Sequence, residues 1–133
     1  MTTIIRRENG AELDLYEVLA VYEASGLAER RPVHDIERMA AMVRHANLVV
    51  TCRIDGRLVG IARCITDFAY VTYLSDMAVS REHQRTGIGR DLLEAVSKEA
   101  PQAKIVLLAA PAARGYYPRV GFEQHDSAWV RAR

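Results

Sequence analysis

The dipeptide Asp55-Gly56 stands between two apolar, β-branched runs, Leu48 to Ile54 and Leu58 to Thr66. A two-residue turn of this kind joins strands antiparallel, because its backbone twist matches theirs. The middle of the chain is thereby committed to a hairpin. Asp67 to Tyr70 makes a further turn, and Val71 to Val79 reads as the next strand. Beyond Val79 the pattern switches to strand–helix–strand. Gly87 to about Ala100 places Ile88, Leu92, Ala95 and Val96 on one helical face, closed by Pro101. Ile105 to Ala110 is continuously apolar, as expected of a strand buried on both faces. Ala112 to Tyr117 predicts a short helix stopped by Pro118, and Ser127 to Arg131 a final strand.

Before the hairpin, Thr2 to Arg7 predicts a first strand, broken by Asn9-Gly10. Leu15, Val18, Leu19 and Tyr22 share a helical face that ends near Ser25-Gly26, and Ile36, Met39, Ala40 and Val43 repeat the spacing after Pro32. The expectation is an α/β (α+β) architecture, a mixed sheet with helices on both faces. No repeat or internal boundary interrupts it, so residues 1–133 are read as one domain.

Charge narrows the partners. Eighteen basic residues oppose seventeen acidic ones, a net +1, which lacks the strong basic field that nucleic acid or an anionic membrane requires. Residues 1–80 carry 9 basic and 11 acidic side chains, whereas residues 81–133 carry 9 and 6. An anionic ligand therefore belongs to the second part. Met1 to Arg7 has no apolar signal-peptide core, and the longest apolar stretch, Ile105 to Ala113, contains Pro111. Cys52 and Cys64 lie in separate strands without a second ligand at metal spacing. Buried, reduced thiols in a cytoplasmic protein are expected, with no metal site.

The segment from Ser80 to Arg90 links the fourth strand to the following helix and contains Gln84-Arg85-Thr86-Gly87-Ile88-Gly89-Arg90. The first N–H groups of a helix have no internal partners, and the dipole adds positive potential. Glycines at 87 and 89 let a diphosphate approach the backbone, with Arg85 and Arg90 at the same end. A P-loop would need Lys-Ser or Lys-Thr after Gly89, and a dinucleotide fingerprint a small residue at Leu92.

Tyr73 to Val79 followed by Gln84-Arg85-Thr86-Gly87-Ile88-Gly89 resembles the acetyl-CoA-binding core of the GCN5-related N-acetyltransferases (GNAT). Tyr117-Pro118-Arg119-Val120-Gly121-Phe122 is similar to a second motif of that family, a tyrosine four residues before Gly-Phe. The resemblance implies the GNAT fold, a mostly antiparallel twisted sheet of six to seven strands. It implies acetyl-CoA as co-substrate, no metal, and transfer of the acetyl group to a primary amine. The implied cofactor-binding set is Met77, Ala78 and Val79 on the strand, with Gln84, Arg85, Thr86, Gly87, Ile88, Gly89 and Arg90 on the loop and helix start. Main-chain groups of Met77 and Val79 would hold the pantetheine amides. A different reading of the same loop is a catalytically silent acyl-CoA-binding or sensing module. A third is an unrelated nucleotide-binding protein.

A thioester is attacked by a neutral amine, yet an alkylammonium with pKa near ~10 is neutral in only about one molecule in a thousand at pH 7. A base is therefore expected, with an acid for the departing thiolate. The resemblance assigns the acid to Tyr117, leaving Tyr116 to pack. Asp76, the only acid between Val71 and Val79, is a candidate for attracting the ammonium or accepting its proton, or else a structural carboxylate paired with an arginine. The acceptor, a small amine or a protein lysine or N-terminus, would meet loops 24–35 and 66–72 and the C-terminal hairpin. Glu29, Asp35 and Asp67 there suit a cation, and Arg30-Arg31 reads as a solvated pair. The family often dimerises, and a homodimer could complete the pocket. His34, His45, His83 and His125 read as solvated or capping residues, and Trp129 as core or interface.

Overall fold

Thr3–Glu8 (β1), Leu48–Ile54 (β2), Arg57–Thr66 (β3), Val71–Val79 (β4) and Lys104–Val106 (β5) form one sheet whose strands lie in chain order. The structure is a computed structural model describing residues 1–133. β1 to β4 pair antiparallel, and β5 joins β4 in parallel through Val71–Lys104, Thr72–Ile105 and Tyr73–Val106. The predicted hairpin is present. Asp55 (φ 50°) and Gly56 (φ 84°) both take the left-handed conformation that its turn requires.

Leu15–Ser25 (α1) and Ile36–His45 (α2) cover one face of the sheet, and Ile88–Glu99 (α3) covers the other. Alternation along the strands divides the core accordingly. Val49, Leu58, Ile61 and Ala78 pack with Val18, Val21, Tyr22, Met39 and Val43 of α1 and α2. Leu48, Val50, Cys52, Val59, Ala62 and Cys64 pack with Ile88, Leu92, Leu93 and Val96 of α3. Leu92 is fully enclosed, and burial of a side chain of that size stabilises by roughly 2 kcal/mol.

A register shift between β3 and β4 decides where Asp76 points. Arg63 opposes Asp76 while Cys64 opposes Leu74, so Ser75 is an extra residue on β4, a β-bulge. Without it, residues 74 and 76 would share a face. With it, Leu74 joins the α3 core and Asp76 turns toward Tyr22 of α1.

The sheet has five strands, not the six to seven implied by the family resemblance. The run from Ile105 to Ala110 pairs only as far as Val106, and it is not buried on both faces. Ile105 and Leu107 pack on the α3 core, whereas Val106 is 43% and Leu108 50% exposed. The predicted helix from Ala112 to Tyr117 is instead two 3₁₀ turns, Pro111–Ala113 and Tyr117–Val120. No strand forms at Ser127 to Arg131. That segment finds no backbone partner, and Trp129 is 93% exposed rather than part of the core. Strand propensity is realised only where a neighbouring strand and a covering layer repay it, and here neither is offered. No helix is long and apolar enough to cross a membrane.

Candidate active site

β4 outruns β5. The bond from Ser80 N–H to Val59 C=O, together with the strict alternation of an antiparallel ladder, assigns the main-chain groups of Ala78 and Asp76 to β3. The groups of Met77 and Val79 consequently point to the opposite edge, which β5 leaves open beyond Tyr73. A cavity of about 310 Å³ lies off this edge. Its walls are Tyr73, Leu74, Ser75 and Met77 of β4, Leu107, Leu108, Ala110 and Ala113 of the diverging segment, Tyr117, and Leu27, Arg30 and Arg31 after α1.

Next to this edge stands the start of α3. Both other helices are capped by aspartate side chains, Asp14 accepting from Tyr16 N–H and Asp35 from Arg38 N–H. α3 has Gly87 at its N-cap and no side-chain cap, so its first N–H groups are free for a ligand. Gly87 has φ 92°, and a Cβ there would meet nothing within 4 Å. A Cβ on Gly89 would lie 2.8 Å from the Tyr116 hydroxyl, which thus leans over the helix start. The loop is folded by its own side chains. Gln84 donates to Val79 C=O at 2.8 Å, and Thr86 donates to His83 C=O at 2.5 Å. Arg85 sits at φ 63°, and both it and Arg90 are exposed beside the uncapped turn. Arg81 behaves differently: its guanidinium packs against Gly26 at the end of α1, on the other face of the sheet.

Tyr117 is positioned by a turn that explains the spacing of its motif. Gly121 at φ 95° reverses the chain, its N–H reaching Pro118 and Tyr117 C=O, and Phe122 N–H donates to Tyr117 C=O. The Phe122 ring then meets Tyr117 edge-on, 5.4 Å between centroids, and Tyr116 also meets it edge-on at 5.3 Å. Burial raises the Tyr117 hydroxyl above its ordinary pKa, with the neighbouring Tyr116 adding to the effect. The hydroxyl therefore stays protonated at neutral pH and can donate.

Asp76 does not line the cavity. Its carboxylate is fully enclosed and accepts from Arg63 Nε at 2.6 Å, Tyr22 hydroxyl at 2.6 Å and Arg31 Nε at 2.5 Å. Burial alone would raise its pKa. The charge and hydrogen bond of Arg63, with Tyr22 and Arg31, outweigh that and hold the carboxyl below the usual range. Ala78 likewise gives its main chain to β3 and its side chain to the α1–α2 core.

The sequence alone does not single out Arg31, Arg63, Tyr22 or Ser75. A signal did exist, since Arg63 interrupts an apolar strand, and a charge so placed demands a partner on the strand beside it. Arg31, read as solvated, instead crosses to Asp76 and Ser75 C=O.

Comparison with known proteins identifies the family. Residues 18–132 match the family model described as the acetyltransferase (GNAT) domain. An N-acetyltransferase of Porphyra purpurea is 24% identical over 86% of this chain and 67% of its own length. A histone acetyltransferase of Glycine max is 26% identical over 86% of this chain, which spans only 54% of that relative. A crystal structure from Xanthomonas campestris assigned to the same family superposes with a TM-score of 0.75 at 26% identity, covering 100% of this chain and 94% of that one. The chain belongs to the GNAT acetyltransferases.

Proposed function

We propose that the protein transfers the acetyl group of acetyl-CoA to a primary amine. The observation that carries this reading is that the open β4 edge and Tyr117 line one cavity, with the uncapped α3 start beside that edge at Met77. These residues fit the cofactor. The open space over Gly87, with the free N–H groups of the first turn, suits a diphosphate, and the exposed Arg85 and Arg90 add positive charge. Met77 offers its main-chain N–H and C=O, and Val79 its N–H, to an extended amide-bearing arm, while Gln84 already occupies Val79 C=O. The arm would lie where a further strand would otherwise pair.

When bound, acetyl-CoA supplies an activated acetyl group as a thioester. The chain's own residues do the rest. The free N–H groups on β4 orient and polarise the acyl carbonyl. Tyr117 holds a proton at its hydroxyl for the leaving sulfur, and its raised pKa keeps that proton in place until it is needed. Leu74, Met77, Leu107 and Leu108 exclude water from the thioester end. Asp76, enclosed and bonded on three sides, positions Arg31 and is not the base. The amine loses its proton to solvent reached through the cavity mouth. A chain with no membrane-spanning helix and two free, buried cysteines suits the cytoplasm.

The test is thiol release from acetyl-CoA across a panel of amines, with the acetylated product identified by mass. Tyr117→Phe should lower kcat about a hundredfold while leaving CoA binding close to wild type. An unchanged kcat in that variant removes Tyr117 from the chemistry. Stabilisation by CoA without turnover on any amine removes the enzyme reading altogether.

A further inference from the structure

Resting on the acetyl-transfer reading, we infer that the acceptor is a small amine that also carries a carboxylate, held by Arg30 and Arg31. The cavity wall contains these two arginines and no acidic side chain. The acids that would suit a cationic acceptor are engaged elsewhere or stand outside it. Asp35 caps α2. Asp67 accepts from the N–H groups of Ala69, Tyr70 and Val71. Glu29 is exposed and does not reach the wall.

Asp76 does not supply the missing negative charge. It stands behind the wall between two arginines, so Asp76, Arg31 and Arg63 together sum to +1. Arg31 is held by three bonds, to Asp76, to Ser75 C=O at 2.9 Å and to Arg30 C=O at 2.7 Å. A guanidinium has five N–H donors, which leaves two on Arg31 for a ligand. Arg30 makes no ion pair and no side-chain hydrogen bond, and its whole fork is available at the mouth. Two forks at a small cavity, one held by its neighbours and one exposed, match a planar carboxylate.

The same field acts on the amine. Positive charge disfavours an ammonium, so a monoamine entering here is shifted toward the neutral, reactive form. A diamine brings a second ammonium and is repelled. A volume of about 310 Å³, shared with the thioester end, suits a molecule of amino-acid size.

Three ligands of equal chain length decide the matter: 4-aminobutanoate, butylamine and 1,4-diaminobutane. Each is titrated calorimetrically into the full chain in the presence of CoA, and assayed separately for thiol release with acetyl-CoA. The acid should bind about tenfold tighter than butylamine, the value of one charge-assisted contact, with the diamine weakest. Arg30→Gln should cut the acid-to-butylamine ratio about tenfold, and Arg30→Lys should keep most of it. Equal or reversed affinities, no binding of the acid, or an unchanged ratio in Arg30→Gln would overturn the inference. So would a peptide amine preferred over the free acid. Tight acid binding without thiol release would instead break the transfer reading and leave carboxylate recognition standing. Release that prefers the diamine would do the reverse.

Discussion

Replacing Asp76 with asparagine keeps the shape of the side chain and removes its charge. Three donors converge on this carboxylate, from Arg63, Tyr22 and Arg31, all within 2.6 Å. An amide can accept at only one oxygen, and its NH₂ group would face a donor where a carboxylate oxygen stood. Arg63, whose side chain is 7% exposed, would keep its charge without a counter-ion. Breaking one partner out of a buried ion pair costs about 3–5 kcal/mol. For a chain of this length each kcal/mol moves Tm by about 3–5 °C, so a fall of roughly 10–20 °C is expected at pH 7. Thermal unfolding followed by circular dichroism measures it. The pH dependence supplies a sign. Because the folded pKa of Asp76 is lowered, its contribution is complete above the unfolded carboxyl value near ~4 and is lost as pH falls through the lower folded value. The gap between wild type and variant should thus be constant from pH 8 to about 5 and narrow below pH 4. An Asn variant with wild-type Tm but lost turnover would refute this and make Asp76 a chemical group.

The remaining predictions concern the cavity and the core. Because burial raises the Tyr117 hydroxyl, any decline in kcat from its ionisation should appear only above about pH 10; a decline below pH 9 would show another acid at work. Gly89→Ala would bring a Cβ to within 2.8 Å of the Tyr116 hydroxyl, the movable end of a side chain, so stability should change by under about 1 kcal/mol. The KM for acetyl-CoA should rise about tenfold in that variant, the value of one weakened charge-assisted contact at the helix start; an unchanged KM would mean the diphosphate binds elsewhere. Cys52 and Cys64 are buried, and burial pushes the Cys64 thiol up to about 12. Neither should react with a thiol reagent until the chain unfolds, and rapid labelling of native protein would contradict this core.

Periodicity makes most of the scaffold legible. The Asp55-Gly56 turn, the four long strand segments and the three helices are each specified by local pattern and caps, within residues of where they form. What local pattern does not carry is whether a strand-like segment finds a partner. Ile105 to Ala110 and Ser127 to Arg131 have the composition of strands, yet their fate depends on edges set by distant residues. The site divides the same way. Gly87, Gly89 and Gly121 carry backbone requirements that are readable as motifs. Arg31 reaches Asp76 across 45 positions, and nothing in its neighbours announces that contact.

The Ser75 bulge joins these two levels. A regular β4 would put Asp76 and Leu74 on one face, leaving an ionised carboxylate against the α3 core or an apolar side chain among Tyr22, Arg31 and Arg63. The extra residue resolves the conflict by reversing the alternation at the point where β4 leaves β5. It also frees Ser75 C=O to hold Arg31, so one backbone irregularity fixes a cation at the cavity wall. Below the bulge β4 is an ordinary paired strand. Above it, the edge is open and the arginine is in place. Deleting Ser75 should therefore leave Leu74 opposite Cys64 and Asp76 opposite Arg63, on the faces they hold now, while removing the extra peptide whose carbonyl holds Arg31 and the hydroxyl that accepts from Arg63. Acceptor binding, read by calorimetry, should then weaken through Arg31 with Asp76 still buried beside Arg63, whereas a simple cavity mutation such as Leu108→Ala leaves Arg31 and its partners in place.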